Sequence, residues 1–428
     1  AGFPGARLAF VVLGHCESFH LDSGQTNACF ATVFRPVSAW CDGLPSNDHA
    51  CSGSCLPGEE ILLKPSDQKG HAMKHSFRKQ CIAGITASVA MSFSLMVAAD
   101  TNRAFVPMGT ADAVGVIDLE NRKVTSSIGG TLNTHGSALT PDGRHLVVGS
   151  LSAHDRQEPV SRPEAVSEDE HAAHHGGGQS TELEAGSTGL LYLVNTATKT
   201  IDRKLEVPGL VHHVLVTSDS RYAVSTHPAS GSISVVDLDS GQLVKTVATG
   251  PAPNYLVQTD DGQSLLVSNT GNGTVSEVDT EHWFVERNLR VGGNPEHLVL
   301  APGNQRLYVN DAASGQVLVI ELAKGAVADR YEVGEAPHGV GLSADGQTLY
   351  ATSQGGNQVV RIELASGARH SRPLAPAPYH LAVSPYDGQL LVTSRAENKL
   401  WVLDPESLDV VDEIALSGIG HQISLEAH

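Results

Sequence analysis

Histidines recur at one place in a repeat that runs through most of the chain. From residue 212 onward, short segments such as Pro337-His338-Gly339 and Pro378-Tyr379-His380 return at intervals of 41 or 42 residues. Two adjacent columns of this repeat contain seven histidines: His135, His212, His213, His297, His338, His380 and His421. Several neutral imidazoles at one place form a natural site for Zn²⁺, with Cu²⁺ and Ni²⁺ as competitors. The pattern therefore predicts a transition-metal site, and the alternative is a ring of histidines that only pack and form hydrogen bonds.

The repeat unit at residues 337–364 indicates which elements carry the histidines. An Asp-Gly turn at Asp345-Gly346 separates two apolar runs, which is a strong hairpin signal because both residues tolerate a positive φ. Strands are predicted in this unit at 339–342, 348–352 and 359–364, and other units add a fourth strand, as at 244–248. A period near 42 residues with four short strands per unit is typical of a β-propeller.

The two ends of the repeat region predict the number of blades. Residues 104–128 supply three outer strands without an inner strand, and residues 420–425 supply an inner strand without outer ones. Joined, they form a closing blade beside six complete ones. The sequence therefore predicts an all-β, seven-bladed β-propeller over residues 100–428, with the histidine columns at the start of the innermost strands, around one mouth of the central channel.

One blade has an insertion at about residues 151–188, between its second and third strands. The insertion contains Ser167 and Glu170, which match a helix capping box. If the segment is helical, His171 lies on the same face as His174 and His175, at metal-binding spacing. We expect this insertion to overhang the histidine ring, and the alternative is a solvated acidic loop. His227 and Asp311 are weaker candidates to complete a metal site on the same face.

The first hundred residues read as targeting and upstream sequence. A basic segment from Met73 to Lys79 precedes an apolar stretch and small residues before Asp100, which predicts a signal peptide at 73–99; a membrane anchor is the alternative. Residues 1–72 contain no methionine and five cysteines, and we interpret them as translated upstream sequence rather than a small disulfide-rich module. The mature chain is thus expected in the periplasm, without membrane insertion.

Charge and cysteine content exclude several classes of function. The formal net charge of −19 argues against a nucleic-acid partner, which needs a basic surface, and favours cations. The six cysteines are Cys16, Cys29, Cys41, Cys51, Cys55 and Cys81. The predicted mature chain therefore has no thiolate zinc site and no thioether attachment for haem.

The turn segments carry a family resemblance. Leu342-Ser343-Ala344-Asp345-Gly346 and Leu139-Thr140-Pro141-Asp142-Gly143 resemble the repeats of YVTN-type and cytochrome-d1-like seven-bladed propellers. With the histidine ring and the His/acidic insertion, the chain is similar to the periplasmic zinc metallochaperones of zinc ABC transport systems, the AztD type. That resemblance implies a protein that is not an enzyme, captures zinc and passes it directly to the transporter's solute-binding protein.

Three other functions stay open from the sequence. A cytochrome-d1-like oxidoreductase or biosynthesis protein would bind a haem-type cofactor over the same channel mouth through histidine. A lactonase-type propeller would need a carboxylate-rich, calcium-like centre, for which Glu296 and Asp311 are too few. A metal-independent interaction scaffold would not depend on the histidines, because propellers host many unrelated activities.

Overall fold

The computed structural model describes residues 102–153 and 187–426 of the chain. The predicted upstream segment at 1–72 and signal peptide at 73–99 lie outside the described residues. So does most of the insertion, including His171, His174 and His175. Within the described ranges, no helix is long and apolar enough to cross a membrane.

The described residues form seven four-stranded antiparallel sheets, which confirms the predicted seven-bladed β-propeller. Six sheets are blades of four consecutive strands, numbered here 1 to 6 in chain order. Blade 1 consists of β4 (Thr134–Leu139), β5 (His145–Ser150), β6 (Thr188–Asn195) and β7 (Thr200–Pro208). Blade 2 consists of β8 (Val214–Val216), β9 (Tyr222–His227), β10 (Ser232–Asp237) and β11 (Leu243–Ala248). A short 3₁₀ helix, Pro228–Ser230, follows β9.

Blades 3 to 6 repeat this order with little variation in strand length. Blade 3 consists of β12 (Pro253–Gln258), β13 (Ser264–Asn269), β14 (Thr274–Asp279) and β15 (Phe284–Arg290). Blade 4 consists of β16 (Pro295–Leu300), β17 (Arg306–Asp311), β18 (Gln316–Glu321) and β19 (Ala326–Glu332). Blade 5 consists of β20 (Pro337–Leu342), β21 (Thr348–Ser353), β22 (Gln358–Glu363) and β23 (Arg369–Pro373). Blade 6 consists of β24 (Pro378–Val383), β25 (Leu390–Ser394), β26 (Lys399–Leu403) and β27 (Val410–Ala415).

Blade 7 joins the two ends of the described chain, as the sequence predicts. It consists of β1 (Arg103–Met108), β2 (Ala113–Asp118), β3 (Lys123–Gly129) and β28 (Ser424–Leu425), with a 3₁₀ helix, Gly109–Ala111, between β1 and β2. The innermost strand, β28, pairs antiparallel with β1. The Arg103 guanidinium donates hydrogen bonds to both carboxylate oxygens of Glu426, one of them at 3.0 Å. Closure of the ring therefore depends on both strand pairing and an ion pair.

Neighbouring blades share their hydrophobic cores. Leu266 and Val275 of blade 3 lie in one buried cluster with Leu307 and Leu318 of blade 4. A single twisted sheet cannot cover both of its faces, so each blade needs the next one to remove its apolar side chains from water. This stacking holds the inner strands around the central axis.

The inner strands begin irregularly, and this irregularity matters for the histidines. In β16 the pairing with β17 shifts register between Pro295 and Leu298, and β4, β12, β20 and β24 have the same shift. Successive side chains of a regular strand point to opposite faces, but a bulge breaks that alternation. Both repeat columns fall in this irregular stretch, so side chains from both can approach the axis.

Candidate metal centre

Six histidines from different blades meet in one buried cluster, which we call the imidazole cluster. The six, each at most 7% exposed, are His135, His213, His297, His338, His380 and His421. Ring centroids lie 4.1 Å apart for His297 and His338, and 4.3 Å apart for His135 and His421. The structure thus brings together most of the ring that the repeat predicts.

Two overlapping groups of three imidazoles have the proximity that a metal ion needs. Triad A is His135, His213 and His380, and triad B is His297, His338 and His380. In each triad one ring nitrogen per residue lies within 4.8 Å of the other two. Zinc bonds to imidazole of 2.0–2.1 Å place tetrahedral ligand nitrogens about 3.3 Å apart. The nitrogens of either triad would therefore have to approach one another by up to about 1.5 Å to coordinate an ion, and His380 belongs to both triads.

Buried ring nitrogens in the cluster have no hydrogen-bond partner among the described residues. They are both nitrogens of His135 and the Nε2 atoms of His213, His297, His338 and His380. Buried polar atoms are nearly always hydrogen-bonded, because an unpartnered one costs about 1–3 kcal/mol. Five side chains share this property at one place, and a bound cation would engage the one lone pair that each neutral imidazole carries.

Two of the imidazoles are oriented by hydrogen bonds on their other nitrogen. The Nδ1 atom of His338 lies 2.7 Å from Oε2 of Glu296, and Nδ1 of His213 lies 2.9 Å from the carbonyl oxygen of Asn254. These oxygens accept hydrogen bonds, so Nδ1 is the donor in both rings. In a neutral imidazole the lone pair is then on Nε2, the nitrogen that a metal would bind.

Burial keeps most of the cluster neutral at physiological pH. It lowers the pKa of His135, His213, His297, His380 and His421 well below the ordinary value of 6.5. Neighbouring imidazoles lower the pKa of each further, because a second positive charge nearby is repelled. For His421 the Arg395 guanidinium adds to this effect. Neutral imidazole is the form that coordinates a metal.

Two tyrosines support the cluster; they occupy the same repeat columns as the histidines, but they were not predicted from the sequence as site residues. The Tyr379 ring stacks on His338 at 3.8 Å between centroids, and the Tyr255 ring lies 4.2 Å from His297. Burial raises the pKa of both phenols to about 12, so both stay protonated. The signal that would have identified them, and Glu296, is their position in the histidine columns.

Glycine follows two of the buried histidines, as Gly136 after His135 and Gly339 after His338. A Cβ atom on Gly136 would lie 2.5 Å from Cα of His213, and one on Gly339 would lie 2.5 Å from the carbonyl oxygen of Tyr379. Both contacts are with the backbone of the next blade, which cannot yield cheaply. The glycines therefore permit the close approach of inner strands that brings the histidines together.

The remaining predicted candidates lie in three different settings. His212 is half-buried at the edge of the cluster, 4.5 Å from the His135 ring and 4.2 Å from the His213 ring. The ring of His227 is hydrogen-bonded on both nitrogens, by Nδ1 to the carbonyl oxygen of Leu210 at 3.0 Å and by Nε2 to Oγ of Ser225 at 3.1 Å. Burial lowers the pKa of His227 to about 4. We therefore treat His227 as a structural histidine.

Asp311 closes a loop of blade 4. Its Oδ1 accepts hydrogen bonds from the backbone N–H groups of Asn294 at 2.7 Å and Ala313 at 3.1 Å, and its Oδ2 accepts one from Ser314 Oγ at 2.6 Å. With three donors directed at it, this carboxylate has a sufficient structural role. We leave His227 and Asp311 out of the proposed ligand set.

Both described ends of the insertion lie beside the histidine segments. The N–H of Leu151 donates to the carbonyl oxygen of Asn133, two residues before His135. The carbonyl oxygen of Ser187 accepts from the N–H of Gly209, three residues before His212. The insertion therefore leaves and re-enters the propeller on the face that carries the imidazole cluster.

Comparison with known proteins agrees with the fold and leaves the function open. The family model described as lactonase, 7-bladed beta-propeller, matches residues 214–388, from blade 2 into blade 6. No protein with a curated function matches the sequence. The chain is a seven-bladed β-propeller with a lactonase-type family match over part of its length.

Solved structures with similar architecture have diverse functions. Hydrazine synthase of Kuenenia stuttgartiensis is 18% identical with a TM-score of 0.56, over 72% of this chain and 94% of that one. The periplasmic gluconolactonase PpgL of Pseudomonas aeruginosa is 18% identical with a TM-score of 0.57, and the similarity covers 76% of this chain and 99% of PpgL. The dihydro-heme d1 dehydrogenase NirN, in complex with DHE, is 13% identical with a TM-score of 0.54, and the similarity covers 74% of this chain and 64% of NirN. Identities this low support the fold alone.

Proposed function

We propose that this protein is a periplasmic zinc metallochaperone, which binds Zn²⁺ in the imidazole cluster and passes it to the solute-binding protein of a zinc ABC transporter. The observation that carries the proposal is the set of buried, unpartnered imidazole nitrogens in triads A and B. Periplasmic location rests on the expected signal peptide. In this proposal zinc is cargo, and the protein is not an enzyme.

The donor set suits zinc among the available metals. Neutral imidazole is a borderline ligand that binds Zn²⁺ well, and Cu²⁺ and Ni²⁺ are the competitors. Hard cations such as Ca²⁺ prefer carboxylate and carbonyl oxygens, whereas both candidate metal groups among the described residues consist of histidine alone. The formal charge of −19 also favours the approach of cations.

Transfer to a partner needs more ligands than one site can use at a time. A tetrahedral ion takes four ligands, and the cluster with His212 offers seven imidazoles. The shared ligand His380 allows an ion to exchange the other two ligands of one triad for those of the other without release. His212 continues this series at the edge of the cluster, and the sequence predicts further ligands, His171, His174 and His175, in the insertion.

A haem-binding function is the second candidate, because the fold is similar to that of NirN and the channel mouth has several histidines. Packing in the cluster argues against it. His380 lies 4.6 Å from His297 and 5.7 Å from His135, measured between ring centroids, so the imidazoles themselves fill this space. A macrocycle would require the rings to separate. A visible absorption spectrum of protein purified from its own host distinguishes the two, since zinc is colourless.

Zinc retention by the metal-free protein tests the proposal. We expect about one equivalent to be retained in equilibrium dialysis at neutral pH, and to move to the solute-binding protein when the two are mixed in the presence of a chelator that traps free zinc. His282→Gln is the matched control, because this side chain is 67% exposed and outside the cluster. Failure of the metal-free protein to retain zinc would refute the proposal, and a metal-independent scaffold would then be favoured.

A further inference from the structure

We propose that Glu296 is a positioning residue that assigns the bound ion to triad B, formed by His297, His338 and His380. This inference rests on the metal-binding function proposed above and asks which of two overlapping sites the ion occupies. Because His380 belongs to both triads, the choice lies between the His297–His338 side and the His135–His213 side.

The hydrogen bond from His338 to Glu296 prepares triad B for a cation. Nδ1 of His338 donates to the carboxylate at 2.7 Å, which fixes the ring and directs the Nε2 lone pair into the cluster. A carboxylate partner also makes the imidazole a stronger ligand than a neutral partner does. Glu296 precedes His297 in the irregular start of β16, so one short segment supplies both a ligand and the residue that orients another.

Hydrogen bonds orient the imidazoles of triad A less firmly than those of triad B. His213 donates to a backbone carbonyl oxygen, that of Asn254, and neither nitrogen of His135 has a hydrogen-bond partner in the described part of the chain. The His135 ring is therefore not held in one tautomer by the surrounding protein. An ion bound here would have to select the orientation of that ring itself, at a cost in affinity.

The distribution of charge around the cluster points the same way. A divalent ion held by neutral imidazoles brings an uncompensated charge into a buried site, which is costly. Glu296 places a negative charge against His338 of triad B. Nη1 of Arg395 lies 3.5 Å from Nδ1 of His421, whose ring lies 4.3 Å from that of His135. The same guanidinium lies 5.0 Å from the centre of the Tyr379 ring, which stacks on His338. Its repulsion of a cation therefore reaches both triads, and the carboxylate of Glu296 offsets it at His338.

Zinc affinities of metal-free variants, measured by competition with a chromophoric chelator, test the assignment. We expect Glu296→Ala to bind Zn²⁺ about 10- to 100-fold more weakly than the wild type. Glu296→Gln should fall between them, because its amide oxygen still accepts the His338 hydrogen bond but carries no charge. Glu335→Gln, which removes one charge from an exposed loop, is the control and should leave the affinity unchanged.

A second pair of variants and a spectroscopic measurement separate positioning from general damage. His338→Ala should lose most of the zinc affinity, whereas in His135→Ala the zinc affinity should fall only a few-fold. In ¹⁵N NMR of the metal-free protein, the Nδ1–H tautomer of His338 should dominate in the wild type and in Glu296→Gln, and become mixed in Glu296→Ala.

Two results would overturn the assignment while leaving the proposed function intact. One is wild-type zinc affinity in Glu296→Ala, and the other is a larger loss in His135→Ala than in His338→Ala. If the wild-type protein retains no zinc, the proposed function itself fails. The two failures are therefore distinguishable within one set of titrations.

Discussion

His297 of blade 4 and His380 of blade 6 belong to blades that are not neighbours, yet their ring centroids lie 4.6 Å apart. Only side chains that reach the central axis can meet in this way. The contact therefore places the imidazole cluster where the inner strands converge, and His380 is the residue that both triads share.

The shared position of His380 predicts that its loss affects both triads. His380→Ala should weaken zinc binding by at least 100-fold, because each triad retains only two imidazoles. The measurement is a zinc titration of the metal-free variant, beside His282→Gln as the control for the loss of an exposed histidine. Near wild-type affinity in His380→Ala would mean that the ion binds outside both triads.

The buried histidines predict that the metal-free protein becomes less stable in mild acid. Burial lowers their pKa values in the folded state, whereas each titrates near 6.5 in the unfolded state. The unfolded chain therefore binds more protons below about pH 6.5, and the free energy of unfolding falls as the pH falls. Each such histidine contributes up to about 1.4 kcal/mol per pH unit.

Urea unfolding of the metal-free protein between pH 7.5 and 5.5 measures this effect. This pH window lies above the ordinary pKa range of carboxyl groups, so the pH dependence of the free energy of unfolding reports mainly the histidines. Saturating zinc should raise the free energy of unfolding at each pH, because the folded state binds the ion more tightly than the unfolded chain does. A free energy of unfolding that does not change over this window would contradict the burial of neutral imidazoles in the cluster.

The close approach at Gly339 predicts that a single methyl group disturbs the cluster. Gly339→Ala would place a Cβ 2.5 Å from the carbonyl oxygen of Tyr379. We expect a loss of about 1–3 kcal/mol in the free energy of unfolding, since overpacking must be relieved by movement of the backbone. Zinc affinity should fall too, because the adjacent residue, His380, moves with that backbone.

A glycine in open space provides the control for this substitution. Around Gly129, at the end of β3, no atom lies within 4 Å of the Cβ that an alanine would add. Gly129→Ala should therefore change neither thermal stability nor zinc affinity appreciably. Equal effects of the two substitutions would show that the contact with blade 6 is unimportant.

The ion pair that closes the ring predicts a stability effect far from the cluster. Arg103 and Glu426 are 15% and 9% exposed, and their pairing joins the first strand to the last. Glu426→Gln should lower the free energy of unfolding by about 1–3 kcal/mol, because the guanidinium loses its charged partner. Glu363→Gln removes a 48% exposed partner of Arg361 and should cost less than about 1 kcal/mol. Similar losses in chemical denaturation would contradict a special role for closure.

The sequence predicts the fold well because the same pattern of strands and turns recurs in successive repeat units. The Asp-Gly turns, the interval near 42 residues and the split blade at the two ends each follow from local signals that the structure reproduces. The histidine columns are equally visible, since neighbours in a column of the repeat become neighbours around the axis.

The details of the cluster are not accessible from the sequence. The roles of Glu296 and Tyr379 depend on the irregular start of the inner strands, which lets residues from both columns approach the axis. His227 is also a buried histidine, but both of its ring nitrogens are hydrogen-bonded, Nδ1 to the carbonyl oxygen of Leu210 and Nε2 to the hydroxyl of Ser225, and only the folded chain brings these partners to it. Ligand and structural histidines differ by such partners rather than by sequence.

Zinc K-edge X-ray absorption of the mature protein, loaded with one equivalent of Zn²⁺ at neutral pH, tests the central claim most directly. The imidazole cluster predicts a first shell of nitrogen at about 2.0–2.1 Å, with the multiple-scattering features of at least three imidazoles. Replacing His380 by alanine should abolish this signature. A first shell dominated by oxygen, or an unchanged spectrum in the His380→Ala variant, would contradict zinc binding by the cluster.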